Sequence, residues 1–286
     1  MQSQFWLAAQ RDRFHTEFPM QYEQISYEVV GQVARLYHNR PDKGNAQSTQ
    51  LLAEMDDALA IAKADDHVRV LILGANGKHF SAGHDLVDGY AKRGKFAPEE
   101  HWVWEQEHFY GNAMRIRDFP KPTIAQVQGA CIAAGFMVAN SCDLLVAADD
   151  AHFSDPVLHS MGAASVEALV HPWVLGLRKA KELLFTGERI SAQEAKEWGM
   201  ANHVVPRAEL EEFTLSLANR IAAAPPYGIK MLKRSLNRVA DIQGYTSSLN
   251  AHFDTHIVSQ SSKEFLEIIE RGVEKSVQHA KSKLSS

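Results

Sequence analysis

The stretch PKPTIAQVQGACIAAGFMVANSCDLLVAADD, Pro120 to Asp150, decides the fold. Pro120 and Pro122 can only bound an element, because proline fixes its own φ and has no N–H to give. The short apolar run Thr123–Val127 is predicted as a buried strand, and Gly129 ends it. Ala133-Ala134-Gly135 follow, three small residues that let a ligand approach the backbone. They open an apolar helix predicted to run to about Cys142. A second buried strand, Leu144–Ala148, comes at once. Strand, small-residue turn, helix start, strand: this order aims the unsatisfied N–H groups of a helix N-terminus at a ligand oxygen.

Working outward, another buried strand, Val68–Leu73, leads through the turn Asn76-Gly77 into HFSAGHDL, His79–Leu86. Upstream lies NRPDKGNA, Asn39–Ala46. Downstream lies LLFTGERISAQEAKEWGMANHVVP, Leu183–Pro206. In this order, from about Ile25 to Ala224, the boxes resemble the crotonase (enoyl-CoA hydratase/isomerase) superfamily. The resemblance implies an α/β fold, a crotonase-like spiral of ββα units with a C-terminal helical trimerisation region. The expected division is an N-terminal extension over 1–20, the core over 21–206 and a C-terminal helical oligomerisation region over 207–286. The expected partners are an acyl-CoA substrate and further copies of the chain, as a homotrimer or dimer of trimers. No cofactor is expected, since CoA is part of the substrate, and no metal.

Composition agrees with a soluble enzyme and excludes other classes. The chain has 286 residues, 45% hydrophobic and 23% charged, with a net charge of −5. That is enough chain for one large core and an appended subdomain. The absence of a basic block argues against nucleic acid. No apolar run approaches the ~20 residues of a membrane span. MQSQFWLAAQRDRFHTEF lacks the basic-then-apolar layout of a secretory signal. Cys131 and Cys142 lie in apolar segments and read as two reduced thiols, which suggests a cytoplasmic compartment.

Elsewhere the pattern predicts an amphipathic helix over residues 1–19, two strands over Tyr22–Val30 and Gln32–His38, and a helix over Ser48–Ala64 capped by Ser48. Val87–Glu100 reads as a polar loop, and His101–Asp118 as a helix dense in aromatics. Asp155–Ala164 reads as a turn region. Val166–Leu175 is predicted helical with an interruption at Pro172. Two further helices, Ala180–Leu184 and Ala192–Trp198, flank a turn, the second with a capping box of Ser191 and Glu194. From Ala208 onward the pattern is helical, broken at Pro225-Pro226. Phe213, Leu217, Ile221, Leu249, Phe253 and Ile257 supply apolar faces there.

The resemblance also implies a chemistry. Two backbone N–H groups hold a thioester oxygen as negative charge builds on it, and they fall on His84 and Ala134. The His84 imidazole is either incidental or reaches the substrate. CoA contacts fall on Lys43, Ala82, His84 and Leu86, with Phe265 and Lys275 as loose echoes of a C-terminal contact. Asp85 reads as structural. The two glutamates with which a hydratase of this family adds water are replaced by Met137 and Val157, so ordinary enoyl-CoA hydration is not expected. Nearby substitutes are Glu167, Asp155, His159 and His171. Glu167 and Asp155 are the candidate catalytic groups, against bland readings as a helix-capping carboxylate and a turn residue. The expected function is acyl-CoA processing through a stabilised thioester enolate. Isomerisation, decarboxylation, C–C or thioester hydrolysis, and silent acyl-CoA binding all remain open.

Overall fold

The computed structural model describes residues 22–93 and 97–272, together with Lys275 and Gln278. The expected helix over residues 1–19 lies outside the described residues.

A large sheet carries the chain in the order β1 (Ile25–Val30), β2 (Val33–His38), β3 (Val70–Ala75), β4 (Thr123–Val127), β6 (Leu144–Ala148), β9 (His203–Val205). The β1–β2 pair is an antiparallel hairpin; the remaining pairs are parallel. A small sheet joins β5 (Ala130–Ile132), β7 (His152–Ser154) and β8 (Ile190–Ser191).

β3 shows why the large sheet is central. Its sequence VLILGA is apolar at every position and buried at every position, as a parallel strand covered on both faces must be. Leu71 and Leu73 point into one core with Leu51, Met55, Phe136 and Leu145. Val70 and Ile72 point the other way, into a core closed by the helix Leu210–Ala222. That helix buries Leu210, Thr214, Ala218 and Ala222, a stripe with a step of four residues.

Each unit of the spiral repeats one path. A strand of the large sheet ends, the chain makes a short parallel contact in a second layer, and a helix returns. After β2 the contact is Gln47 with His84, followed by the helix Thr49–Ala64. After β3 it is Ser81 with Cys131, followed by the helix Leu86–Arg93. After β4 comes β5 and the helix Ala134–Asn140. After β6 comes β7 and the helix Val157–Met161. The expected crotonase-like spiral of ββα units is present.

Several expectations are corrected. The polar stretch after Leu86 is not a loop up to Glu100. Leu86–Arg93 is helical because Asp85 serves its start: the Asp88 N–H donates to the Asp85 carboxylate at 3.2 Å, and the Gly89 N–H to the Asp85 carbonyl. The next helix begins at Pro98, whose missing N–H costs nothing at a first position. It runs through a π-helical segment, Gln106–Tyr110, into Gly111–Arg117. The central helix stops at Asn140, two residues short of Cys142. The residues 155–164 are not all turn, since Val157–Met161 completes a helical turn and a half.

The C-terminal apolar residues singled out from the sequence are used within the chain. Leu249 and Phe253 are buried with Ile257 packed beside them, and Phe213, Leu217 and Ile221 cover the large sheet. A different set is exposed on the helix Pro226–Ile242, among them Tyr227 at 75% and Ile242 at 87%, with Leu232, Leu236 and Val239. Among the described residues no helix is long and apolar enough to cross a membrane.

Gly129 is where the chain turns from β4 into β5. Its φ is +54°, and an added Cβ would lie 2.3 Å from the Lys78 carbonyl oxygen. Backbone cannot yield as a side chain can, so Gly129→Ala is expected to destabilise by about 2 kcal/mol or more in urea unfolding. A change within ~0.5 kcal/mol, the range of an ordinary surface substitution, would contradict this account of the turn.

Candidate active site

Two backbones approach each other closely at this site. Gly83 has φ +96°, and a Cβ there would lie 3.2 Å from the Ile132 carbonyl, 3.3 Å from the Ala133 side chain and 3.7 Å from the Ala134 nitrogen. The box His79–Leu86 therefore rests directly on the start of the helix Ala134–Asn140. Gly135 repeats the demand: a Cβ there would fall 2.6 Å from Ser81 Cβ.

Both neighbouring N–H groups are set by their partners. The Gln47 N–H donates to the Gly83 carbonyl and the Asp85 N–H to the Gln47 carbonyl, both through parallel pairing. In such pairing the residue between, His84, turns its own N–H and C=O to the opposite side. On the helix, Ala133 donates to the Ser154 carbonyl at 2.9 Å and adopts φ 48°, ψ −115°. This left-handed conformation costs a non-glycine residue of order 1–3 kcal/mol. It sets the direction of the next N–H, that of Ala134, which as first residue of its helix has no i−4 carbonyl to bond.

The box Asn39–Ala46 holds this arrangement from behind. The Ala82 N–H donates to the Gly44 carbonyl at 2.9 Å. Asn45 is buried and bonds Arg40, Asn76 and His79 backbone groups. Arg40 meets the Asp85 carboxylate at 2.9 Å. Asp85 is thus a structural residue in this site, as expected from the sequence.

A cavity of about 780 Å³ opens over these elements. Its floor includes Ala130, Ile132, His152 and Ser154, alternate residues on one face of the small sheet. Charge is segregated along it. Lys78, His79 and His152, with Asp150, lie toward the start of β5 and β7, and Arg189 joins the lining from just before β8, its charge acting on His152. Glu105, Glu167 and His256 line the other end, past Ala133. Burial lowers His79 and His152 below the usual histidine value, each helped by a neighbouring cation, Lys78 and Arg189 respectively.

Of the expected CoA contacts, Ala82, His84 and Leu86 line the cavity, as does Phe265. Lys43 does not: it is exposed on the turn Pro41–Lys43, and its box reaches the site through Gly44 and Asn45 instead. Lys275 is exposed. Met137 is buried against Phe109, Val166 and Leu52, whereas Val157 faces the cavity.

Glu167 stands on the cavity wall at 3% exposure, in the turn Val166–Leu169. Its Oε1 lies 3.7 Å from His84 Nδ1, and the His84 ring stacks on Phe109 with centroids 3.3 Å apart. Burial, then the charge of Asp155, push the Glu167 carboxyl up to about 7.

Asp155 is not on the wall. The expectation that it faces the same side as Val157 assumed an extended segment, but Pro156 and Val157 begin a helix, so alternation fails. Asp155 is 1% exposed and accepts from His171 Nε2 at 3.0 Å, Ser165 Oγ at 3.3 Å and the Val157 N–H at 3.2 Å. It lies behind the wall and adds to the effect of burial in raising the Glu167 carboxyl. His171 is buried as its partner. His159 bonds the Phe185 carbonyl at 2.9 Å, away from the cavity.

Two cavity residues escaped the sequence reading. Glu105 is 1% exposed on the aromatic helix, with His101 Nε2 at 3.0 Å from its Oε1. His256 sits on the helix Tyr245–Ser259, with Nε2 3.7 Å from Glu105 Oε2 and Nδ1 2.9 Å from the Ala164 carbonyl. The available signal was the four-residue step His101–Glu105–Phe109, which places an acid on a buried aromatic face. Among the described residues no group of His, Cys, Asp and Glu is arranged to hold a metal.

The profile of the family described as Enoyl-CoA hydratase/isomerase matches residues 28–283. The chain belongs to the enoyl-CoA hydratase/isomerase family. A solved structure from Mycobacterium thermoresistibile, a probable enoyl-CoA hydratase, is 43% identical with a TM-score of 0.78 over 83% of this chain and 96% of its own. An enoyl-CoA hydratase/isomerase from Xanthobacter autotrophicus Py2 is 32% identical with a TM-score of 0.85, covering 92% and 99%. The family is chemically broad. A 4-chlorobenzoyl coenzyme A dehalogenase-2 from an Arthrobacter species is 30% identical over 84% of this chain and 91% of its own.

The raised Glu167 carboxyl has a thermodynamic consequence. Between its ordinary 4.5 and about 7 the folded chain binds a proton that the unfolded chain has lost, so stability falls as pH rises through that window. Relative to Glu167→Gln, the wild type is expected to lose on the order of 3 kcal/mol between pH 4.5 and 7. Denaturant titrations of both at several pH values check this, and parallel curves would remove Glu167 as a buried, raised carboxyl.

Proposed function

We propose that the chain is an acyl-CoA enzyme that moves a proton at the carbon next to the thioester, most simply to shift a double bond from the β,γ to the α,β position. The observation that carries this reading is that His84, Ala133 at the start of the central helix and the Glu167 carboxyl line one cavity, with the Ala134 nitrogen packed directly against Gly83. The thioester oxygen lies between the N–H groups of His84 and Ala134. Negative charge builds there when the carbon is deprotonated, and each fixed donor is worth about 3–4 kcal/mol in such sites. The N-terminal end of the helix Ala134–Asn140 adds a favourable field.

Glu167 is the base. A carboxyl near 7 is matched to taking a weakly acidic proton and giving it back at neutral pH. Hydration in this family needs two carboxylates to hold water, and Met137 and Val157 stand in their places, so proton shuttling is favoured over water addition. Ala82 and Leu86 flank the acyl-CoA near the thioester. The anionic end of CoA extends toward Lys78 and Arg189, the cationic end of the cavity. The exposed apolar face of Pro226–Ile242 supports self-association, as a homotrimer or dimer of trimers.

Isomerisation of 3-hexenoyl-CoA by the wild type is expected, with a rate that rises with pH through about 7 as Glu167 ionises. Glu167→Gln should lower kcat by roughly 10²- to 10⁴-fold. A folded Glu167→Gln variant with wild-type kcat would remove Glu167 from the chemistry. For the assembly, light scattering should give a trimer or hexamer at micromolar concentration. Leu236→Glu with Val239→Glu should shift it to smaller species, and a monomeric wild type would contradict the assembly.

A further inference from the structure

We propose that His256, held by Glu105, is a second proton-transfer residue of this site: Glu167 takes the proton next to the thioester, and His256 delivers one to the far end of the dienolate. The proposal rests on the reading of Glu167 and the two N–H groups given above.

Three elements that share no local sequence bring these groups to one end of the cavity. Glu105 comes from the helix Pro98–Glu105, Glu167 from the turn Val166–Leu169, and His256 from Tyr245–Ser259. His256 is only 5% exposed. A carbonyl can only accept, so the Ala164 oxygen at 2.9 Å places a hydrogen on His256 Nδ1. That leaves Nε2 as the nitrogen that gains and loses the working proton. Nε2 faces Glu105 Oε2 at 3.7 Å and the Gln260 side-chain amide at 2.8 Å. The Gln260 amide suits both states: its NH₂ donates to a neutral Nε2, and after a flip its oxygen accepts from a protonated one.

The surroundings favour the protonated imidazole. Burial works against the charge, but Glu105, the Ala164 carbonyl and Glu167 outweigh it, and His256 is raised above the usual histidine value. The ionisable groups around it are Glu105 from the facing helix with His101 behind it, Glu167 with Asp155 behind and His84 beside it, and His252 one turn away on its own helix. Glu105 works as a positioning residue, acting through the imidazole.

The step balances without any further reactant. The C–H bond next to the thioester breaks, its electron pair spreads into the dienolate, and the proton bonds to a Glu167 oxygen. The electron pair at the γ carbon then takes the proton of His256 Nε2, leaving a neutral imidazole and the α,β-enoyl thioester. Glu167 then gives its proton to solvent water, His256 Nε2 takes one from solvent water, and the site is reset.

The test uses the enzyme and 3-hexenoyl-CoA deuterated at both C2 positions, with thermal melting to confirm that each variant is folded. Two-group transfer gives a wild-type product with protium at Cγ. His256→Gln should lower kcat by roughly 10²-fold or more with little change in KM, while hexanoyl-CoA still exchanges its C2 protons in D₂O. Its pH profile should lose the descending limb that marks the imidazolium, and Glu105→Gln should move that limb to lower pH. Deuterium carried to Cγ by the wild type would overturn the proposal, because one group would then make both transfers. A folded His256→Gln with kcat within twofold of wild type would also overturn it and leave Glu167 standing. Absence of C2 exchange in the wild type overturns the reading of Glu167 and with it this proposal. If neither variant folds, the wild-type label pattern decides.

Discussion

The close packing of Gly83 against the backbone of Ile132–Ala134 is the constraint on which the rest depends. It requires a left-handed Gly83, small residues at the start of the central helix, and a β5 clamped between Ser81 and β7. The bonds are explicit: Ile132 donates to the Ser81 carbonyl and Ala133 to that of Ser154. With both sides fixed, two N–H groups from segments far apart in sequence are held in one place. Their positions are backbone positions, so histidine and alanine side chains at 84 and 134 leave them intact. The strain of Ala133 at φ 48° is sustained by the same clamp.

Around this frame the site concentrates buried acid groups. Asp155, bonded to His171 and Ser165, lies behind the wall; Glu167 is buried on the wall with its carboxyl pushed up to about 7; Glu105 lies beside His256. Adjacent buried carboxylates cannot all ionise cheaply. Such an arrangement is expensive as structure alone, since well-packed apolar residues would be as stable or more so. It is useful where protons must move.

The sheet strands and the spiral were legible because their signals are local. VLILGA needs no partner to announce a strand buried on both faces, and the small residues 133–135 announce a close approach. Ser191 and Glu194 form the capping box that their spacing implies. Asp155 failed because alternation was assumed across a proline that starts a helix. Lys43 lies off the cavity, on an exposed turn whose next residues, Gly44 and Asn45, brace the site. Glu105 and His256 were missed for a different reason: beyond the step His101–Glu105–Phe109, each looks like one polar residue on an apolar helix face. Only the folding of distant helices onto one cavity gives them partners, and no local pattern carries that.

A crystal structure of the protein with a non-reacting acyl-CoA analogue tests the central claim most directly. The account requires the carbonyl oxygen of the analogue within about 3.1 Å of both the His84 and Ala134 nitrogens. It also requires a Glu167 oxygen within about 3.2 Å of the position of the proton donor carbon's reach, directly or through one water. A carbonyl bound away from either nitrogen, or an acyl chain turned away from Glu167, would contradict it.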